Sequence, residues 1–270
     1  MTTQLETEHG FYDLHPHGPK IAWTLRRPSS SSSGSRSAAP AGNRDTLRAG
    51  IIAHPYGRLG GSKGDHVVVA CADLLAREGW HVLTYDSRGS GASGGSTSWT
   101  ASPEAHDYRQ MLEEVLLPAV LDGVRAGPQG PPAKLRILLA GYSHGSLAAS
   151  ACPPPTHLPD HPNLTISTSY LLLSYPLSVM WALCAFRTHT FTSALEQRVK
   201  GEEGERVFAV FGDRDQFTGV ERYRQWALRL GEGTEAFRAR EVEGADHFWR
   251  DERVKEELLL EIKLWLDAER

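Results

Sequence analysis

Residues 135–151 read LRILLAGYSHGSLAASA. Leu135 to Ala140 form an apolar, β-prone run, and the small residues after Gly145 suit a helix. Between them lies Gly141-Tyr142-Ser143-His144-Gly145, a G-x-S-x-G pattern. A strand entering the serine and a helix leaving it force a sharp turn, which lifts Oγ clear of the backbone. Side chains at the two glycines would collide with the neighbouring strand and helix. Ser143 is therefore the candidate nucleophile; an ordinary strand–helix turn in a binding protein is the plainer alternative.

The same pattern recurs at Gly60-Gly61-Ser62-Lys63-Gly64 and Gly91-Ala92-Ser93-Gly94-Gly95. Ser62 follows a loop, and no helix starts at Ser93, so neither has the required context. Gly89 to Gly94 also matches G-x-G-x-x-G, but with no helix opening among the glycines it lacks the N–H groups that hold a pyrophosphate. A Gly-rich turn beside a pocket explains it better.

Outward from Ser143 the chain alternates. Short strands are expected within Phe11–Arg27, then at Ala49–His54, Trp80–Asp86, Leu135–Tyr142, Thr168–Ser174, Val207–Phe211 and Ala236–Val242. Helices are expected at His66–Glu78, from Ser102 (N-cap) and Pro103 towards Val124 with a kink or split at Pro118, and at Ser143–Ala151, Phe191–Lys200, Val220–Leu230 and Asp251–Ala268. In the last helix Val254, Leu258, Ile262 and Trp265 share one face. This order predicts an α/β fold with about eight strands in a mostly parallel sheet, helices on both faces and an antiparallel N-terminal edge. The expected organisation is one domain over residues 1–270. A flexible Ser-rich insertion is expected at about 28–46, a loop at Gly127–Pro132 and a Pro-rich insertion at about 152–162.

A serine nucleophile needs a base and an acid that orients the base. Of the histidines beyond Ser143, His247 follows the last predicted strand and precedes the last helix, at the carboxyl end of the sheet. His157 and His161 lie in the Pro-rich loop, and His189 in a long connection. The acid should follow the strand ending at Phe211, where Asp213 and Asp215 are both candidates; a short side chain directly after Gly212 also suits a turn cap. Asp246 is a lesser candidate. An oxyanion hole requires two backbone N–H donors. His144 supplies one, and the loop after Ile51–His54 supplies the other; Pro55 has no N–H, so Tyr56 is selected. His54 is assigned to bracing that loop.

IIAHPYGRLGG, LTYDSRGSGASGG, LLAGYSHGS, FGDRDQF and GADHFW, in this order, resemble the α/β-hydrolase superfamily. They resemble in particular its small lid-less group with an HP-x(n)-GG oxyanion loop, a G-[FY]-S-x-G elbow and an ADHF histidine motif. The resemblance spans roughly Ile51 to Trp249. It implies the α/β-hydrolase fold, hydrolysis of an acyl bond, and a triad of Ser143, Asp215 and His247, the G-x-x-D spacing selecting Asp215. Members often read HPHP where this chain has His54-Pro55-Tyr56-Gly57.

The expected activity is hydrolysis of an ester, thioester or related small acyl substrate, without metal or organic cofactor. Acyl transfer on the same residues, or a non-catalytic scaffold of the same fold, are the alternatives. Residues 174–204 suffice for one helix and a loop rather than a multi-helix cap, which predicts no large lid and an open pocket edged by Met180, Trp181 and Phe186, with Arg58 at its mouth.

The 270 residues carry 29 Lys+Arg and 33 Asp+Glu, a net charge of −4 that argues against a nucleic-acid binder relying on a basic face. Cys71, Cys152 and Cys184 form neither a metal pattern nor a disulfide framework. No signal peptide is recognisable at MTTQLETEHG, and Tyr170–Phe186 is too short and too interrupted to span a membrane. A cytoplasmic protein is expected.

Overall fold

The computed structural model describes residues 5–28, 46–122, 134–200 and 205–268. Nearly all of the Ser-rich insertion and the whole of the Gly127–Pro132 loop lie outside the described residues.

Eight strands form one sheet: β1 (Glu6–Asp13), β2 (Lys20–Arg27), β3 (Thr46–Ala53), β4 (His81–Tyr85), β5 (Lys134–Tyr142), β6 (Thr165–Leu173), β7 (Arg206–Arg214) and β8 (Phe237–Asp246). Their spatial order is β1-β2-β4-β3-β5-β6-β7-β8. β1 pairs antiparallel with β2 and β2 with β4, and every other pairing is parallel. The antiparallel edge follows from the chain itself, since β1 and β2 are joined by a short turn with no helix to carry a crossover.

The inner parallel strands β3 to β7 are largely buried on both faces, while the edge strand β8 is mostly exposed or half-buried. Side-chain alternation splits the inner strands between two cores. Leu135, Ile137 and Leu139 of β5 face the core shared with Tyr108, Leu147, Phe191 and Tyr223. Leu138, Ala140 and Tyr142 face the core shared with Val68, Leu75, Leu258 and Trp265. Helices α1 (His66–Arg77) and α8 (Glu252–Ala268) cover the second face. Helices α2 (Ser102–Gln110), α3 (Leu117–Leu121), α4 (His144–Ala151), α6 (Thr188–Val199) and α7 (Val220–Gly231) cover the first. A short α5 (Met180–Leu183) follows β6.

One local expectation changes, at Ser102, and the expected disruption at Pro118 takes a specific form. Ser102 lies inside α2 rather than capping it: Ala101 stands at the cap with φ 58°. The cap chemistry comes from Ser98 instead. Its Oγ accepts the N–H groups of Thr100 and Ala101, while buried Glu104 accepts the N–H and O–H of Ser98. The helix around Pro118 is split by a π segment, Met111–Leu116, in which the Leu117 N–H reaches back to the Leu112 carbonyl. The wider turn lets the chain pass a residue that cannot donate and whose ring would clash in a regular helix.

The loops above the sheet's carboxyl edge are knitted together by buried polar groups. Asp86 accepts the Lys63 N–H at 2.8 Å, the Lys63 ammonium at 2.6 Å and the Ala92 N–H at 3.0 Å. Ser93 Oγ donates to the Asp86 carbonyl at 2.6 Å and accepts the Ala22 N–H at 2.8 Å, which gives this serine a structural role. Gly91 packs so close to Asp86 that an added Cβ would overlap the carboxylate.

Candidate active site

The turn after β5 puts Ser143 at φ 53°, ψ −118°, a conformation a non-glycine residue adopts at a cost. Its surroundings hold it there. Ser143 N–H donates to the Leu173 carbonyl at 2.8 Å, tying the turn to β6. A Cβ on Gly141 would overlap the Gly145 carbonyl, and one on Gly145 the Ala53 carbonyl. The two glycines let α4 start directly against β3 and β5.

Opposite, β7 and β8 run further than their apolar residues suggest. The ladder shifts register between Gly212 and Arg214, so that Arg214 pairs with Asp246. A Cβ on Gly212 would overlap the Ala245 carbonyl, so the irregular pairing requires glycine there. This extension places Asp215 and His247 one residue beyond the two strand ends, side by side.

The three groups form a chain of hydrogen bonds. His247 Nε2 lies 2.9 Å from Ser143 Oγ, and His247 Nδ1 lies 2.7 Å from Asp215 Oδ2. All three are buried. Asp215 is fixed by the N–H groups of Phe217 at 2.8 Å and Thr218 at 2.9 Å on Oδ1, and by the Tyr223 hydroxyl at 3.1 Å on Oδ2. The His247 backbone is held at both polar groups: its N–H donates to Gln216 Oε1 at 3.0 Å, and its carbonyl accepts the Tyr142 hydroxyl at 2.6 Å. The Phe217 ring stands edge-on to the imidazole at 4.5 Å. Asp213 is turned elsewhere and accepts the Gly244 N–H at 2.6 Å, bracing the β7–β8 irregularity.

His54 sits under the oxyanion-loop candidate. Its Nε2 accepts the Ser87 N–H at 2.8 Å and its Nδ1 lies 2.5 Å from the Pro55 carbonyl. An Nε2 that accepts an N–H carries no proton, so the ring is the neutral Nδ1–H tautomer. Burial lowers its pKa in the same sense. Tyr56 packs against His144, their ring centroids 5.0 Å apart and the rings tilted by 50°, so the two residues nominated as backbone donors support one another. His144 opens α4, where the first N–H groups of a helix have no acceptor within it. The His144 ring is buried and its Nε2 has no partner among the described residues; burial pushes its pKa down to about 4, against the pull of the Glu104 carboxylate.

A cleft of about 120 Å³ opens at Ser143, bounded by the Tyr56–Gly61 loop on one side and by Phe217, His247 and Phe248 on another. Val179 and Leu183, one helical turn apart, form its third wall. Met180, Trp181, Phe186 and Arg58 are not brought to it. Met180 and Trp181 lie on the opposite face of α5 and line a separate cleft of about 870 Å³ against α7. Phe186 is 77% exposed and packs on Trp181. Arg58 lies over the Trp99 ring at 4.1 Å and donates to the Thr97 carbonyl at 3.1 Å. The sequence offered the right connection, but which face of a four-residue helix turns inward depends on the strands beneath it.

Tyr223, Gln216, Val179, Leu183 and Asp65, which also lines the cleft, were not nominated from sequence. Only Asp65 carried a local signal, standing as N-cap before the apolar run 67–72. Among the described residues no three His, Cys, Asp or Glu side chains cluster as a metal site would, and no helix is long and apolar enough to cross a membrane.

No protein-family model matches the chain, and no curated protein matches it in sequence. Solved structures do. An alpha-beta serine hydrolase homologue from Coxiella burnetii superposes with TM-score 0.59 at 18% identity, over 94% of this chain and 96% of that one. An a/b serine hydrolase without lid from Xanthomonas campestris gives 0.55 at 20% identity, over 94% and 90%. An esterase from Pyrococcus furiosus gives 0.61 at 15% identity, over 98% and 91%. The chain therefore has the α/β-hydrolase fold, and among the described residues no large lid covers the site.

Proposed function

We propose that this protein is a serine hydrolase that cleaves an acyl bond, an ester or thioester, through an acyl-enzyme. The observation that carries the proposal is the buried hydrogen-bonded chain Ser143 Oγ, His247 Nε2, His247 Nδ1, Asp215 Oδ2, with contacts of 2.9 and 2.7 Å. The fold shared with solved serine hydrolases and an esterase supports it.

Asp215 accepts Nδ1–H and so leaves Nε2 as the unprotonated nitrogen facing the serine. His247 takes the hydroxyl proton as Ser143 Oγ bonds to the substrate carbonyl carbon. The backbone N–H groups of His144 and Tyr56 hold the resulting oxyanion. The tetrahedral species collapses, the bond to the leaving group breaks, and the imidazolium returns its proton to the departing alcohol or thiol. Water, deprotonated by His247, then attacks the acyl-enzyme, and the acid leaves as Ser143 is reprotonated.

A fluorophosphonate probe is expected to label the wild type at Ser143 and to leave Ser143→Ala unlabelled. Ser143→Ala is also expected to lose nearly all hydrolysis of p-nitrophenyl esters, keeping only about 10³–10⁴-fold over water. Ser62→Ala should retain labelling. Ser93→Ala should retain it with a stability loss of about 1 kcal/mol, from its two hydrogen bonds. Labelling that survives Ser143→Ala would refute the assignment.

A further inference from the structure

The walls of the Ser143 cleft are mostly apolar, and one carboxylate interrupts them, Asp65. Asp65 caps α1 through a single oxygen: Oδ1 accepts the N–H groups of Val67 at 2.9 Å and Val68 at 3.4 Å. Oδ2 makes no hydrogen bond, and the carboxylate no ion pair, among the described residues. The nearest cation in sequence, Lys63, is committed to Asp86 at 2.6 Å, and His66 Nε2 lies against the Phe248 carbonyl at 2.9 Å. The charge of Asp65 is felt by Tyr142, which also lines the cleft, where it contributes, after burial, to the raised pKa of the Tyr142 hydroxyl. At about 120 Å³ the cleft is narrow. A substrate group entering it displaces the solvent that would otherwise screen this carboxylate.

We infer that Asp65 sets the charge of the substrate. Resting on the hydrolase reading above, the cleft takes acyl substrates whose group beside Ser143 ends in an ammonium, and it rejects those ending in a carboxylate. The ammonium meets a spare acceptor and an unneutralised negative charge. A carboxylate meets like charge across a narrow cleft.

Three esters matched in length test this, ending in ammonium, methyl or carboxylate, with the ending placed on the acyl side in one series and on the alcohol side in another. The wild type is expected to show kcat/KM for the ammonium ester exceeding that for the carboxylate ester by roughly tenfold or more in at least one series, with methyl between. Asp65→Asn keeps a capping acceptor of nearly equal strength and removes only the charge. It should reduce the ammonium-to-carboxylate ratio by roughly tenfold, which a purely structural cap would not do. Ratios unchanged by Asp65→Asn would overturn the inference. So would a uniform loss across all three esters, which would place Asp65 behind the His247 imidazolium instead. Binding of the matching non-hydrolysable ketones to Ser143→Ala, with and without Asp65→Asn, reads the same ratio without turnover. If the protein hydrolyses none of the esters but this binding preference follows Asp65, the hydrolase reading fails and the charge selection stands.

Discussion

Two aspartates two residues apart do different work, and the difference lies in where each carboxylate points. Asp213 accepts the Gly244 N–H and braces the irregular end of the β7–β8 ladder; Asp215 accepts from His247 Nδ1 and is itself held by two backbone N–H groups and the Tyr223 hydroxyl. Replacing either by asparagine keeps its shape and removes its charge. On the proposed mechanism, Asp215→Asn is expected to lower kcat by about 10⁴-fold with the fold retained, since an amide no longer fixes the tautomer that leaves Nε2 free. Asp213→Asn keeps an acceptor for Gly244 and should leave kcat within a few-fold, with a melting-temperature loss worth about 1 kcal/mol. Steady-state kinetics and thermal melts of the pair decide it, and the reverse pattern would transfer the orienting role to Asp213.

At the scale of elements, α5 is a partition. Val179 and Leu183 face the Ser143 cleft, and Met180 and Trp181 face the larger cleft against α7. A bulky residue at 183 intrudes into a space of about 120 Å³, whereas truncation at 181 opens only the other side. Leu183→Trp is therefore expected to raise KM and lower kcat/KM at least tenfold for p-nitrophenyl butyrate while acetate suffers less. Trp181→Ala should leave both within about twofold. Equal effects of the two substitutions would show that the acyl group lies across α5 rather than within the Ser143 cleft. The residues for an apolar wall were readable in 174–204, but their assignment was not. Both faces of so short a helix are apolar, so periodicity has nothing to choose between. The π segment before Pro118 is the contrary case, where the local chemistry of one residue announced the disruption in advance.

The whole molecule is exposed to acid through its buried neutral histidines. His144 titrates at about 4 in the folded chain because burial disfavours its charge, against about 6.5 unfolded. Between these values the unfolded state binds more protons, so the stability this group contributes is complete above about pH 6.5 and is lost as pH falls towards 4. The full window is worth about 3 kcal/mol. His54, also lowered by burial, acts in the same direction. Urea midpoints at pH 7 and pH 4.5 should fall less in His144→Gln than in the wild type, the difference amounting to about 2–3 kcal/mol. Equal losses would mean that His144 charges in the folded protein without penalty.

The order of strands and helices, the elbow at Ser143 and the position of His247 were legible in the chain because each rests on local rules. Apolar runs of alternating period, a glycine on either side of a serine, and a histidine after the last strand need no knowledge of distant neighbours. Even the closeness of Gly141 to Gly145 follows from the turn they flank. Tertiary structure alone decided what meets across the sheet. The bulge that carries β7 and β8 one residue short of Asp215 and His247 depends on Gly212 lying against Ala245, more than thirty positions away. Tyr223 reaches Asp215 because α7 folds back over β7, and Asp65 enters the cleft because the cap of α1 rises beside Tyr142. Arg58 is drawn to Trp99 and away from the cleft by a loop that Asp86 ties to Lys63. Contacts between residues far apart in sequence are selected by packing many elements at once, and no window of residues contains that information.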